Sequence, residues 1–261
     1  VSGKRLALVL VPTTGGTGSE ATPYAVITRP NGDKVSITDR QSVPDLALLD
    51  AELLIGMPAG VTAATGFDAM VHAIEAFTSR VCKNPISDTA ARKAFRLLWQ
   101  ALPESLENPK DLAAREDALI GAMLAGQAIA NAPVGGIHAL AYPLGGLHHV
   151  AHGLANAILM PHVMRFNLQD EATVVLYADL ARDVLTTTSA DSDRGWAEAL
   201  IDRLAAMVQA APIASTLGEC GIGESDLDRL AVEAVGIERL LRNNPLPISR
   251  EAAENIYRRA L

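Results

Sequence analysis

Aromatic side chains are scarce in this sequence: Phe, Trp and Tyr together make up only 4% of its 261 residues. A core built around large rings is therefore excluded. Hydrophobic residues still reach 49%, so the core must consist mainly of alanine and aliphatic side chains. Such residues suit closely packed helices. The length is ample for a buried core and permits one or two domains.

Cysteines and long apolar runs are also few. Cys82 and Cys220 are far apart and form no CxxC pattern, so no disulfide framework is expected. A reducing cytoplasm is the expected location. The apolar run within residues 1–12 is too short to span a bilayer and leads into a glycine-rich turn. We therefore expect neither a signal peptide nor a membrane span.

Basic residues are fewer than acidic residues in this sequence. The chain has 22 basic and 30 acidic residues, which gives a formal net charge of −8. An acidic surface argues against nucleic acid or an anionic membrane as the main partner. It leaves small-molecule substrates open, because a local site can carry either sign of charge.

The chain divides into two compositional zones. The first fifty residues or so have the pattern of strands and turns, with a turn at Asn31-Gly32. Strands are predicted at Arg5–Val11 (fully buried), Tyr24–Thr28, Lys34–Ile37 and Asp45–Asp50. From Met57 onward the apolar spacing is helical. Helices are predicted at 59–79, 86–104, 111–131, 134–148, 153–167, 172–186, 193–209, 224–236 and 249–260.

Two polar residues interrupt the apolar stretch GFDAMVHAI. Asp68 and His72 are four positions apart and therefore share one face of the predicted helix. An ionised Asp among apolar neighbours is costly unless it is paired or bound to a metal. These residues are either a hydrogen-bonded pair in the core or part of a metal site.

Histidines cluster in the segment HALAYPLGGLHHVAH. Four of the six histidines of the chain lie within its fifteen positions: His138, His148, His149 and His152. They are either unrelated surface and core residues or members of one site. Pro143, Gly145 and Gly146 would let the chain turn between them, so that His138 and His152 converge.

Together, the two segments offer three imidazoles and one carboxylate: Asp68, His72, His138 and His152. A mixed nitrogen and oxygen shell of this kind suits Fe²⁺, Zn²⁺ or a similar divalent ion. Each segment alone is a weak signal for a metal. Their combination in one helical region favours a metal site.

A glycine-rich loop, PTTGGTGSE, follows the first predicted strand. Gly15, Gly16 and Gly18 permit close backbone approach, and the exposed N–H groups of such loops can bind phosphate oxygens. The loop also carries hydroxyl donors at Thr13, Thr14, Thr17 and Ser19, and Thr22 follows it. It fits neither GxxxxGK[ST] nor GxGxxG, so it is either a phosphate-binding loop or a plain tight turn.

The three segments resemble, in order and spacing, the motifs of the iron-containing (group III) alcohol dehydrogenase family. The resemblance runs through PTTGGTGSE, PDLALLDAELLIGMPAGVTAATGFDAMVHAIEAF and NAPVGGIHALAYPLGGLHHVAHGLANAILMPHVMRFN. It implies a mainly α chain with the dehydroquinate synthase-like fold. Residues 53–261 would form an all-helical metal-binding catalytic domain. Residues 1–52 would be the β-rich remnant of an α/β dinucleotide-binding domain.

The resemblance also implies roles for particular residues. Asp68, His72, His138 and His152 match the four ligands of Fe²⁺, or in some members Zn²⁺. Four threonines match positions that contact NAD or NADP: Thr13, Thr14, Thr17 and Thr22. Lys34 matches a lysine that reaches the nicotinamide nucleotide. Two of these positions have a simpler alternative, since Lys34 can be a solvated strand residue and Thr22 a helix or turn cap.

The sequence departs from the family pattern in two places. Tyr142 stands where many members carry a histidine that helps to relay a proton, so the relay role passes to Tyr142, with His148 or His149 as alternatives. The family's upstream GGGSxxD loop is missing, so we expect this chain to be part of a longer protein. Maleylacetate reductases form a similar branch but usually lack the ligand Asp, and Asp68 favours the metal-dependent branch.

The expected function is hydride transfer between a small alcohol, aldehyde or ketone and NAD(P), with the metal polarising the substrate oxygen. A homodimer or larger homo-oligomer is expected from the family. Four other functions stay open. They are a maleylacetate reductase-like activity, a metal-dependent lyase of the dehydroquinate synthase type, a metallohydrolase that activates water, and a helical partner domain without enzyme activity.

Overall fold

The structure, a computed structural model, describes residues 5–28, 34–186 and 190–261. Its helices follow the predicted series closely, with most boundaries shifted by no more than three residues. They are α1 (Ala59–Thr78), α2 (Pro85–Glu107), α3 (Leu112–Asn131), α4 (Gly136–His148), α5 (His152–Asn167), α6 (Glu171–Val184), α7 (Asp193–Ala210), α8 (Leu227–Val235), α9 (Glu238–Leu241) and α10 (Arg250–Ala260). The predicted all-helical region is confirmed, and only the four-residue α9 was not predicted.

Two pairs of short strands precede the helices. β1 (Val9–Leu10) pairs in parallel with β4 (Leu46–Ala47). β2 (Tyr24–Thr28) pairs antiparallel with β3 (Lys34–Thr38), with Tyr24 opposite Thr38. The strands predicted at 24–28 and 34–37 are therefore confirmed, whereas the turn at Asn31-Gly32 lies outside the described residues.

The prediction of a fully buried strand at Arg5–Val11 is wrong. Only Val9 and Leu10 are in strand conformation, and the apolar side chains are open to solvent, with Leu6 90% and Val9 52% exposed. Among the described residues the strand pairs with β4 alone. An apolar run predicts a preference for burial, but burial itself depends on what packs against the strand.

Helix α1 is the central element of the helical region. Every residue from Gly66 to Thr78 is buried, because α2, α3 and α5 pack around it. A helix that is apolar on all sides belongs in a core. Ionisable side chains on such a helix are therefore held away from water and need partners inside the protein.

Helix starts are set by local capping. Asn84 accepts hydrogen bonds from the backbone N–H groups of Ile86 and Ser87, and Pro85 is the first residue of α2. Ser192 caps α7, in the polar segment where the sequence predicted a helix start. These side chains satisfy N–H groups that have no partner within the helix.

The chain reverses between α4 and α5 at a different residue from the predicted one. Helix α4 continues through Pro143 and both glycines to His148. His149 then adopts a left-handed conformation with φ 57° and ends the helix. The expectation that Pro143, Gly145 and Gly146 make this turn is therefore wrong, because the helix continues through all three and the left-handed residue that ends it is His149.

None of the helices in the described ranges is by itself long and apolar enough to cross a membrane. Helices α3 and α4 reach the required length and composition only as a pair, and the pair is bent by 104°.

Candidate metal centre

Three helices bring the predicted ligands together. Asp68 and His72 lie on successive turns of α1, His138 lies in the first turn of α4, and His152 is the first residue of α5. Gly153 makes the approach of α5 to α1 possible, because a Cβ on this residue would overlap the carbonyl oxygen of Ala64. The absence of a side chain at this position lets His152 reach Asp68.

The tightest group consists of Asp68, His138 and His152. One ligand atom from each lies within 4.8 Å of the others. Asp68 Oδ1 is 3.6 Å from His152 Nε2 and 3.8 Å from His138 Nε2. Two ligands of one divalent ion at tetrahedral angles are about 3.4 Å apart, so these separations are close to those of a metal site.

His72 lies beside this group rather than within it. Its Nε2 is 4.0 Å from the other carboxylate oxygen of Asp68, Oδ2. Its ring stacks on that of His138, with 4.8 Å between the ring centroids. The four predicted ligands therefore surround one small volume, with His72 slightly farther from its centre.

Electrostatics keep Asp68 ionised and His72 neutral, which are the forms of these two side chains that can bind a cation. Burial alone would raise the pKa of Asp68, but the three neighbouring imidazoles and the Asn156 amide hold it below its usual range. Burial lowers the pKa of His72 to about 4, so this imidazole is neutral near pH 7. Burial also acts to lower the pKa of His138, but the Glu75 carboxylate outweighs it and raises that pKa.

Two residues that the sequence analysis missed complete the site. Glu75 lies on α1, seven positions after Asp68, with Oε2 2.6 Å from His138 Nδ1. Asn156 lies on α5, and its Nδ2 donates a 2.6 Å hydrogen bond to Asp68 Oδ1. Both residues are buried. The helical spacings 68, 72, 75 and 152, 156 could have indicated them, because residues three or four apart share a helix face.

The Asn156 amide nitrogen lies among the ligand atoms of three side chains. Its Nδ2 lies 3.2 Å from His138 Nε2 and 3.2 Å from His152 Nε2, in addition to its bond to Asp68. Potential ligand atoms from three helices thus surround one polar nitrogen. A divalent ion fits the same donor set, provided that the Asn156 amide turns aside. The residues present therefore fit the metal that the sequence analysis predicted.

The site opens to solvent on the side of His152. The side chain of His152 is 39% exposed, whereas that of Asp68 is only 6% exposed. The half-buried Tyr142 lies on the same side, with its ring centroid 5.7 Å from that of His152. The alternative relay residues lie elsewhere, since His148 is beside Asp226 and His149 is exposed at the end of α4.

The glycine-rich loop packs against the helices next to this site. A Cβ on Gly16 would overlap Thr65, which precedes Asp68 by three residues on α1. Gly18 has φ 59°, and its carbonyl group lies against Gly126 of α3, where a Cβ on either residue would overlap backbone atoms. The glycines therefore serve close packing of the loop on α1 and α3.

The predicted cofactor-contacting residues differ in exposure. Thr13 and Thr17 are exposed and Thr14 is half-buried, so their hydroxyl groups are accessible. Thr22 is buried, and its hydroxyl donates to the carbonyl oxygen of Ser19. This contact favours the alternative role of Thr22 as a turn cap. The side chain of Lys34 lies outside the described residues.

Comparison with known proteins gives two family matches. Residues 62–261 match the Fe-containing alcohol dehydrogenase family, C-terminal, and residues 1–51 match Iron-containing alcohol dehydrogenase. Long-chain-alcohol dehydrogenase 1 of Geobacillus thermodenitrificans (strain NG80-2) is 40% identical over 257 residues, which are 98% of this chain and 64% of that protein. The chain thus spans less than two thirds of the length of this curated relative.

Solved structures agree with these matches. The crystal structure of a 1,3-propanediol oxidoreductase superposes with a TM-score of 0.94 at 35% identity, over 100% of this chain and 68% of that chain. A sulfoacetaldehyde reductase from Bifidobacterium kashiwanohense, solved in complex with NAD⁺, gives a TM-score of 0.85 at 28% identity. That match covers 98% of this chain and 65% of the reductase.

Proposed function

Since the chain belongs to the iron-containing alcohol dehydrogenase family, we propose that it forms the metal-binding part of an enzyme that transfers hydride between a small alcohol and NAD or NADP. The observation that carries the proposal is the convergence of Asp68, His138 and His152 within 4.8 Å, with His72 beside them. These residues are the proposed ligands of Fe²⁺ or Zn²⁺.

A divalent cation at this site would supply a Lewis acid that favours ionisation of an alcohol and polarises a carbonyl group. Residues of the chain form the binding site for this cation. Asp68 supplies negative charge in a buried setting, and the Asn156 amide, which contacts this carboxylate, would turn aside for the ion. Substrate would enter beside His152, where the site opens to solvent, and the three helices exclude water from the other sides.

The cofactor is proposed to lie against the glycine-rich loop. Thr13, Thr14 and Thr17 offer hydroxyl groups on a loop that packs beside the turn of α1 that carries Asp68. This placement would hold a nicotinamide nucleotide and a substrate on adjacent sides of one cleft, where their reacting atoms can meet. The relative solved with NAD⁺ supports a nicotinamide cofactor for the family fold.

Tyr142 is the proposed proton-transfer residue. Its ring lies beside His152 at the open side of the site, where a substrate hydroxyl would arrive. A phenol group can both donate and accept a proton, so it can replace the histidine that many family members carry at this position. We also propose that the protein acts in the cytoplasm as a homodimer or a larger homo-oligomer, as the family resemblance implies.

The decisive experiment changes Asp68→Asn. This substitution keeps the size and the hydrogen-bonding shape of the side chain but removes its charge. Metal content measured by elemental analysis should fall from stoichiometric to background, while the far-ultraviolet circular dichroism of the helices stays unchanged. Asp202→Asn is the matched control, because Asp202 is an exposed aspartate on α7. Stoichiometric metal in Asp68→Asn would reject the ligand assignment.

An activity assay separates hydride transfer from the rival chemistries. The metal-loaded protein is given an alcohol and NAD⁺ or NADP⁺, and the absorbance of the reduced nicotinamide is followed. A metallohydrolase or a lyase would produce no net reduced cofactor. Hydride transfer would produce it in proportion to the alcohol consumed.

A further inference from the structure

A buried carboxylate outside the proposed ligand set contacts one of the ligands. Glu75 is only 5% exposed, and both of its carboxylate oxygens have partners inside the protein. Oε1 accepts a 2.6 Å hydrogen bond from the backbone N–H of Ile137, and Oε2 lies 2.6 Å from His138 Nδ1. A carboxylate in such a position is too costly to serve as simple packing.

The tautomer of His138 follows from its two ring nitrogens. Nδ1 faces the Glu75 carboxyl group at 2.6 Å, and an ionised carboxylate only accepts, so this contact favours a hydrogen on Nδ1. Nε2 lies 3.2 Å from the Asn156 amide nitrogen, which donates, and 3.8 Å from Asp68 Oδ1. Glu75 thus favours a proton on Nδ1, and the Asn156 amide nitrogen, which cannot accept, favours a lone pair on Nε2, whereas Asp68 Oδ1 is too far from Nε2 for a hydrogen bond.

The carboxylate is itself fixed in place from both sides. Glu75 stands on α1, one turn beyond His72, and holds the N-terminal turn of α4 through Ile137. The same turn is held by Asn244, whose Oδ1 accepts from the backbone N–H of Gly136 at 3.3 Å. By contrast, His72 Nδ1 has no hydrogen-bond partner among the described residues. Of these two buried imidazoles, only His138 has a carboxylate partner at its Nδ1.

We infer that Glu75 is a positioning residue that locks His138 as its Nδ1–H tautomer, with Nε2 directed at the metal. The inference rests on the proposed metal site. Outer partners of metal-binding histidines typically change metal affinity by about 10- to 100-fold. A purely structural role, as a cap for the Ile137 N–H, would alter stability and leave metal affinity alone.

The test compares Glu75→Gln with the matched control Asn244→Ala. A glutamine oxygen can still accept from Ile137, but its amide would then offer a hydrogen to His138 Nδ1 and favour the wrong tautomer. Asn244→Ala loosens the same helix turn without touching the imidazole. Co²⁺ is titrated into the metal-stripped proteins, and both affinity and the visible ligand-field spectrum are recorded.

We expect Glu75→Gln to weaken Co²⁺ binding by about 10- to 100-fold and to shift the spectrum, and Glu75→Asp to retain part of the affinity. Asn244→Ala should lower the melting temperature and leave the affinity within about threefold, which is below the effect expected for an outer partner. Equal binding by Glu75→Gln and the wild type, or an equal loss in Asn244→Ala, would overturn the role of Glu75. Wild-type protein that binds no Co²⁺ would overturn the metal site together with it.

A measurement on the unmodified protein covers the case in which Glu75→Gln fails to fold. Nitrogen-15 labelling of histidine identifies the protonated ring nitrogen, and a His138→Gln spectrum assigns the signals. Spectra are recorded over a range of pH, and we expect the neutral imidazole of His138 in the metal-stripped wild type to carry its proton on Nδ1. A neutral imidazole protonated on Nε2 would overturn the inference.

Discussion

At the scale of single residues, helix α1 carries three buried ionisable side chains on one face: Asp68, His72 and Glu75. Their spacings of four and three place them in line along the helix. An unpaired charge at any of these positions would strongly destabilise the fold, so their mutual placement with α4 and α5 must offset a considerable desolvation cost. This cost points to a chemical role for these residues rather than a stabilising one.

Tyr142→Phe tests the proposed proton transfer at the same scale. The substitution removes the hydroxyl and keeps the ring that lies beside His152. We expect the catalytic rate constant to fall by about 100-fold, as is typical when a general acid or base is lost, with metal content unchanged. Steady-state kinetics and elemental analysis check this, and an unchanged rate constant would remove Tyr142 from the mechanism.

His162 on α5 should make stability depend on pH. Burial, with the charges of Arg165 and Arg259, lowers its pKa to about 4, against 6.5 in the unfolded chain. Between these values the unfolded chain binds more protons, so the free energy of unfolding falls as the pH drops below 6.5 and is unaffected above it. The loss should reach roughly 1–2 kcal/mol at pH 5.

Denaturant unfolding at pH 7 and pH 5 measures this effect, with His162→Gln as the comparison. The variant should lose less stability than the wild type between the two pH values. Parallel losses in the two proteins would show that other groups, such as His72, carry the acid sensitivity.

At the scale of elements, the contact between α1 and α5 determines the geometry of the site. Gly153 brings the first turn of α5 against the backbone of Ala64, close to Asp68. The glycine-rich loop meets the same part of α1 at Thr65. One short stretch of α1 thus supports a metal ligand, a neighbouring helix and the proposed cofactor loop.

Gly153→Ala should therefore push α5 away from α1. The added methyl group meets a backbone carbonyl that cannot move easily, so we expect a loss of about 1–3 kcal/mol in the free energy of unfolding. Metal affinity should fall as well, because His152 moves relative to Asp68. Chemical denaturation and Co²⁺ titration measure the two effects.

Gly146→Ala is the matched control for this substitution. A Cβ on Gly146 meets no atom within 4 Å, and the residue lies in helix α4. Alanine should therefore stabilise the protein by roughly 0.5–1 kcal/mol through helix propensity alone. A similar stabilisation in Gly153→Ala would contradict the close approach of the two helices.

At the scale of the whole molecule, a bound ion would cross-link helices that are distant in sequence. Asp68, His138 and His152 belong to α1, α4 and α5, and the unfolded chain does not hold them together. A ligand that binds only the folded state stabilises it by mass action. Zn²⁺ at about 100 times its dissociation constant should raise the Tm by about 5–10 °C.

Differential scanning calorimetry with and without a chelator measures this shift. Asp68→Asn should unfold at the same temperature with and without Zn²⁺. A shift of equal size in that variant would place the stabilising ion elsewhere in the protein.

Much of the architecture and of the site could be predicted from the sequence. The helical spacing after Met57 is a local property, and it predicted nine helices with small boundary errors. Asp68 and the clustered histidines stood out because polar residues in apolar segments need a partner. Glu75 and Asn156 did not stand out, since nothing local shows that they meet His138 and Asp68 across helices.

The sequence by itself determined which segments form helices, where polar groups interrupt them and which residue types are available to bind a metal. These properties follow from side-chain spacing and backbone preference within a few residues. Only the tertiary structure decided that His149 ends helix α4 and that β1 is exposed. It also decided that the loop glycines pack on α1 and α3 and that Glu75 contacts His138. Each of these depends on which surfaces meet, and burial and pairing between distant segments are properties of the packed molecule.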